Sequence, residues 1–259
     1  MNLTELLHAA QRDGATVTAD VGDDWLQGRS LFGGLQAALA WAAMRSQVPA
    51  DLPLRTFQMT FFEPVPAGRV AAHARVLRAG KNTVHAQAEL GAPGQPLAQA
   101  LAIFGSGRSS VVARTMSPAP ADAMRKPLPY VPNLAPRFMR QFDTVLTAGA
   151  PPFAGVPVER IGFELALRDP GPTTEGHLLV IADFIPPVAL SWLAKPAPGS
   201  SMTWMLEVLD TFADQPLRGW RTDSEMTAAR DGYTSQTTTV YAPDGRALAL
   251  SRQSMVVFA

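Results

Sequence analysis

Residues 32–44 read Phe-Gly-Gly-Leu-Gln-Ala-Ala-Leu-Ala-Trp-Ala-Ala-Met, a run that is apolar nearly all round and opens on two glycines. Such a run is a helix buried on every side rather than one lying on a surface. Downstream, residues 54–62, 69–77, 83–90 and 98–104 alternate in strand fashion and are bounded by turns such as Pro66-Ala67-Gly68 and Gly91-Ala92-Pro93-Gly94. One long buried helix against an antiparallel meander is the unit this predicts. Upstream, residues 1–12 form a short amphipathic helix, and residues 15–21 and 25–26 are short strands around the Gly22-Asp23-Asp24 turn.

The unit recurs. After a Pro-rich stretch, strands are expected at 159–167, 201–209, 218–228, 234–241 and 247–258, with a helical run at 177–193 that Pro186-Pro187 must kink, split or end early. Gly80 and Gly232 precede matching strands, and Gly94 and Gly245 mark matching hairpin turns. Thr56 then falls opposite Thr203, and Gly34 opposite Asp183. The boundaries predicted are an N-terminal unit over 1–108, a linker over 109–156 that is partly extended and partly helical near 137–146, and a C-terminal unit over 157–259.

Composition excludes several classes of function. The 22 basic and 22 acidic residues of the 259 cancel, without long like-charge runs, so nucleic acid and anionic membrane are not expected partners. The absence of cysteine removes disulfides, thiolate metal sites and a Cys nucleophile. No His-Glu-x-x-His, glycine-rich phosphate loop or Gly-x-Ser-x-Gly elbow occurs, so neither metal, cofactor nor a serine hydrolase is indicated. The N-terminal residues lack the basic start and apolar core of a signal peptide, and no segment has the roughly 20 apolar residues of a membrane span; a cytoplasmic protein is expected.

Polar residues in apolar surroundings mark where chemistry could reside. Asp183 lies in Leu178-Leu179-Val180-Ile181-Ala182-Asp183-Phe184-Ile185, where an ionised carboxylate is costly unless paired or hydrogen-bonded. Gln253 lies on the last strand, where the first half has Ala102, and Thr203 opens a central strand. Each has an ordinary reading as well: an exposed or capping aspartate, a strand threonine, an edge amide.

The segments Phe32-Gly33-Gly34-Leu35-Gln36, Phe57-Gln58-Met59-Thr60-Phe61-Phe62-Glu63-Pro64, Ala182-Asp183-Phe184-Ile185-Pro186-Pro187, Met202-Thr203-Trp204 and Tyr241-Ala242-Pro243-Asp244-Gly245 resemble the type II (TesB-like) acyl-CoA thioesterases. That resemblance implies an α+β double hotdog, two tandem helix-wrapped antiparallel sheets joined into one continuous sheet. It implies hydrolysis of an acyl-CoA or acyl-carrier thioester, in fatty acid metabolism, by water that Asp183 activates and Thr203 and Gln253 orient, with no acyl-enzyme and no cofactor. Gly33 and Gly34 are the candidate substrate-binding residues, through the N–H groups of the helix start. One active site per chain follows, since the first half lacks these polar groups; the acyl tail is expected between the two helices, and a homodimer or homotetramer is implied.

Two rivals stand beside this reading. A hotdog hydratase or dehydratase needs a catalytic histidine, and His8, His73, His85 and His177 stand in no such pattern. A non-catalytic acyl-binding protein would keep the fold without turnover.

Overall fold

The computed structural model describes residues 1–212 and 214–258. In chain order the elements are α1 (Leu3–Ala9), β1 (Gln11–Asp13), β2 (Thr16–Val21), β3 (Leu26–Gln27), β4 (Ser30–Leu31), α2 (Gly33–Arg45), β5 (Leu54–Phe61), β6 (Gly68–Ala79), β7 (Thr83–Ala92), β8 (Gln95–Gly105), β9 (Lys126–Pro127), β10 (Phe142–Ala148), β11 (Arg160–Leu167), α3 (Glu175–Ala182), β12 (Gly199–Val208), β13 (Arg218–Arg230), β14 (Tyr233–Tyr241) and β15 (Ala247–Val257). Thirteen strands form one antiparallel sheet in the order β1-β2-β6-β7-β8-β5-β12-β15-β14-β13-β11-β10-β9, with β3 and β4 as a separate pair. This is a double hotdog.

From the centre outward, β5-β8-β7-β6-β2 and β12-β15-β14-β13-β11 repeat the same order. The two halves meet where β5 pairs with β12, and Thr60 opposite Thr203 is mirrored by Thr56 opposite Glu207 about the Gln58–Met205 pair. The alignment of Thr56 with Thr203 is therefore the one that the central pairing preserves.

The helices show why the alternation in the strands takes its form. α2 buries ten residues, six of them glycine or alanine, and lies on a sheet face of Ala72, Ala86, Ala88, Ala98, Ala100 and Ala102. Small side chains on both surfaces let helix and sheet backbones approach closely, which a Leu-rich face would prevent.

The run over 177–193 is split, as Pro186-Pro187 requires. Thr174 and His177 form a capping box at the start of α3, which stops at Ala182 with Asp183 as its C-cap. Pro186-Pro187 prevents continuation, and a separate 3₁₀ turn covers Val188–Trp192. The two helices run antiparallel, so each N-terminal glycine packs on the other helix. A Cβ built on Gly34 would stand 3.0 Å from Val180 Cα, and one on Gly176 would stand 3.0 Å from the Trp41 ring.

Gly34 is therefore the counterpart of Gly176. Seven residues beyond each lie Trp41 and Asp183, so the alignment of Gly34 with Asp183 is corrected: Trp41 occupies the place that Asp183 holds. The acyl path expected between the helices is likewise closed at both contacts.

Residues 109–156 do more than connect. Lys126–Pro127 and Phe142–Ala148 extend the sheet edge, and the helix expected near 137–146 is a 3₁₀ turn, Arg137–Gln141, followed by β10. Phe142, Thr144 and Leu146 alternate into the core, a period-2 signal that the surrounding prolines obscure.

Glu175 joins three elements. Its carboxylate accepts from Trp41 Nε1 at 2.7 Å and from the Leu54 N–H at 2.6 Å, with Arg45 at 3.8 Å. Glu175→Ala leaves both part-buried donors without their partner; a loss of about 2 kcal/mol in urea unfolding is expected, and a change within error would show these bonds to be replaced by water.

Candidate active site

Asp183 stands where α3 ends and α2 begins. Its side chain is buried, Gln253 Nε2 donates to Oδ1 at 2.5 Å, and the backbone N–H of Gly34 donates to the same carboxyl group. Helix ends supply the reason for the second bond: the first N–H groups of α2 have no intrahelical acceptor, and their dipole favours an anion. Leu35 and Gln36 turn their N–H groups to Phe32 O, so Gly33 and Gly34 present theirs at the helix mouth.

Gly33 is a matter of space. A Cβ there would lie 2.7 Å from Asp183 Oδ2 and 3.1 Å from the Phe61 ring, so only glycine leaves room for the carboxylate beside the helix start.

Burial governs the acid–base behaviour. Desolvation pushes the Asp183 carboxyl up to about 8 from its ordinary 3.8, against the opposing hydrogen bonds from Gly34 and Gln253. A carboxyl poised near neutrality is suited to taking a proton and returning it.

Not every expected residue gathers here. The structure brings Asp183, Gln253, Gly33 and Gly34 together and leaves Thr203 outside. Thr203 pairs with Ser254 and Thr60, while the buried Trp204 pairs with Gln253 and Met59. Successive strand residues point to opposite faces, so Thr203 is exposed on the face away from the helices. Its assignment as a water-orienting residue is corrected on that ground.

Phe61 reaches Gly33 beside the carboxylate, and Phe32 and Phe184, the neighbours of Gly33 and Asp183 in the chain, join an aromatic cluster. Phe32 stacks on Phe138 with centroids 4.0 Å apart, and Phe184 meets Phe138, Phe142 and Phe163 at 5.9, 4.8 and 5.6 Å. Phe138 comes from the 3₁₀ turn of the central segment, so residues read as linker pack against Phe32 and Phe184. A surface hollow of about 200 Å³ lies elsewhere, past the C-terminal end of α2 near Leu52 and Lys81.

His177 is far from this chemistry. It is buried at the start of α3, 3.4 Å from Asp169 and bonded to Thr4 Oγ1 and Thr174, where it ties α1 to the second half.

Sequence reading missed Gln236, which is buried on β14 and faces Gln253 across the pair β14–β15. The residues around it, Tyr233-Thr234-Ser235-Gln236-Thr237-Thr238-Thr239, are polar at both parities, so no face could be chosen. The usable signal was positional: its counterpart in the first half is Ala86, which pairs with Ala102 as Gln236 pairs with Gln253.

Fold and site together define a double-hotdog protein with a buried carboxylate–amide pair in its second half. Residues 21–105 match the family model described as the acyl-CoA thioesterase N-terminal domain, and residues 113–257 match the acyl-CoA thioesterase C-terminal domain. The chain belongs to the acyl-CoA thioesterase family. No curated protein sequence matches it.

Solved structures similar to it include a conserved protein of unknown function with hot dog fold from Alicyclobacillus acidocaldarius, at TM-score 0.84 and 21% identity over 100% of this chain and 99% of that one. A tesB protein from Mycobacterium avium subs paratuberculosis follows at TM-score 0.77 and 14% identity, covering 100% of both chains. Acyl-CoA thioesterase II TesB2 from Mycobacterium marinum gives 0.72 and 14%, over 98% of this chain and 97% of that one. At these identities the likeness establishes the fold. Among the described residues no helix is long and apolar enough to cross a membrane, and no group of three or more acidic or histidine side chains is placed to hold a metal ion.

The raised carboxyl has a thermodynamic signature. The folded value of about 8 lies above the ordinary 3.8, so the stability it contributes is full below about pH 4 and is lost as pH rises to about 8. Asp183→Asn is expected to flatten that decline, by up to about 1.4 kcal/mol per pH unit, in unfolding curves recorded from pH 4 to 9. Parallel curves for the two proteins would mean that Asp183 titrates normally.

Proposed function

We propose that the protein hydrolyses acyl-CoA, or an acyl-carrier thioester, by direct attack of water at the thioester carbonyl. Asp183 accepts the proton of that water through the oxygen not engaged by Gln253, and Gln253 holds the carboxylate in place. The water oxygen bonds to the carbonyl carbon, and the carbonyl oxygen takes the negative charge at the mouth of α2. The Gly33 N–H is the donor assigned to it, because the Gly34 N–H is already bonded to Asp183. Collapse of the tetrahedral intermediate breaks the carbon–sulfur bond, and the proton held by Asp183 passes to the departing thiolate.

The observation that carries this reading is the buried Asp183 carboxyl, raised toward neutrality and set against the N-terminal glycines of the opposite helix. Family membership supplies the thioester class. A hydratase-type mechanism is less favoured, since His177 serves the α1 contact and no other histidine is bonded at the site. We place Phe61, half-buried beside Gly33, against the acyl group next to the carbonyl, in place of the closed seam between the helices. A cytoplasmic setting in fatty acid metabolism and further association into dimers or tetramers belong to the same proposal.

The test is thiol release from a panel of short to long acyl-CoAs. Wild type is expected to hydrolyse at least one member, and Asp183→Asn to fold but lose roughly 10²-fold or more in rate. Gly33→Ala is expected to fall by a comparable factor, since its methyl would displace the carboxylate and not remove it. Binding without turnover by folded wild type would leave an acyl-binding protein and end the catalytic reading.

A further inference from the structure

We infer that Gln236 is the positioning residue that fixes the amide orientation of Gln253 and holds the loop behind Asp183; this rests on the general-base reading given above. The starting point is a donor whose direction admits no choice. The backbone N–H of Val188 points at Gln236 Oε1 at 2.9 Å, and a backbone N–H can only donate. That oxygen must therefore be the acceptor, which turns Gln236 Nε2 toward Pro186 O and toward Gln253 Oε1, each at 3.5 Å. Gln253 then presents its own oxygen to Gln236 and its NH₂ to Asp183 Oδ1 at 2.5 Å. A single direction of donation runs from Val188 through both glutamines to the carboxylate.

The opposite orientation of Gln253 would set an amide oxygen against the Asp183 carboxylate and an NH₂ against that of Gln236. Both amides are almost wholly buried, 1% exposed at Gln236 and 4% at Gln253, so water does not compensate a wrong orientation. The first half provides the comparison. There the equivalent strand pair carries Ala86 opposite Ala102, both fully buried, and Trp41 stands where the second half has Asp183. Two glutamines appear in the half that has a carboxylate to orient, and two alanines in the half that does not. Gln236 touches neither the proposed water nor the thioester position, so its effect passes through Gln253 and through the Pro186–Val188 backbone that follows Asp183.

The test compares wild type, Gln236→Leu, Gln236→Met and Asp183→Asn, each checked for folding by thermal melt. Two readouts are taken: acyl-CoA turnover across pH, and titration of the Asp183 carboxyl by infrared difference against Asp183→Asn. Asp183 is the ionisable member of this relay. Gln236→Leu is expected to lower kcat about tenfold with KM within twofold of wild type. It should also move the carboxyl midpoint upward by roughly one pH unit, because a less ordered Gln253 bonds the carboxylate less well.

Gln236→Met removes both the acceptor for Val188 and the donor to Gln253 with an unbranched side chain that does not ionise, and is expected to shift the midpoint in the same direction; it also serves should Gln236→Leu fail to fold. A folded variant with an unshifted midpoint overturns the inference, whether kcat changes or not, since a merely structural residue would lower activity without moving the titration. If wild type shows no turnover the general-base reading fails, and the infrared midpoints still decide the role of Gln236.

Discussion

The carboxylate of Asp183 meets the N-terminal turn of α2 at one of the two places where an antiparallel helix pair brings a C-terminal end against an N-terminal end; Trp41 fills the other. The Asp183 contact needs three things at once. α3 must stop at residue 182, which Pro186-Pro187 enforces shortly beyond it; α2 must open on residues without side chains, which Gly33 and Gly34 supply; and the seam must be thin, as the Gly34–Val180 and Gly176–Trp41 contacts make it. A carboxylate is unfavourable at the end of its own helix, and the start of the opposite helix offsets that. The remaining desolvation appears as the raised proton affinity of the site.

Duplication then bears on why the carboxylate–amide pair described above lies in the second half. The half-sheets share strand order, and their central pairing is symmetric about Gln58 and Met205. Their inner faces differ. Under α2 the sheet is alanine and apolar throughout, whereas under α3 and the loop after it lie Thr222, Ser224, Gln236, Thr238, Ser251 and Gln253, all buried. Trp41 covers the start of α3 and donates to Glu175, in the place where Asp183 meets Gly33 and Gly34. One half packs, and the other carries polar groups within reach of a helix mouth.

Much of this was legible in the sequence because it follows from periodicity. The all-round apolar run after Phe32, the alternating strands and the paired hairpin turns at Gly94 and Gly245 specify the repeated unit without reference to any relative. Asp183 and Gln253 stood out as polar side chains in apolar stretches. Thr203 could not be placed the same way, because a register shift between Ser201 and Thr203 resets the strand's parity, and sequence carries no mark of a bulge. Gln236 was hidden by a strand polar on both faces, and β10 by the prolines around it. Pro186-Pro187 marks that the run over 177–193 breaks, but its apolar character continues past the point where the backbone turns, so the exact end of α3 at Ala182 is not marked. The common cause is that side-chain pattern reports burial, while the face and the end of an element are set by partners distant in sequence.

A buried carboxylate acting as base is tested most directly by the pH dependence of kcat/KM for the best acyl-CoA, from pH 5 to 10. That ratio should rise with a slope of one and level off near pH 8, where free Asp183 loses its proton. A profile already flat from pH 5, or one that breaks near the ordinary carboxyl value, would contradict it and move the proton transfer to another group.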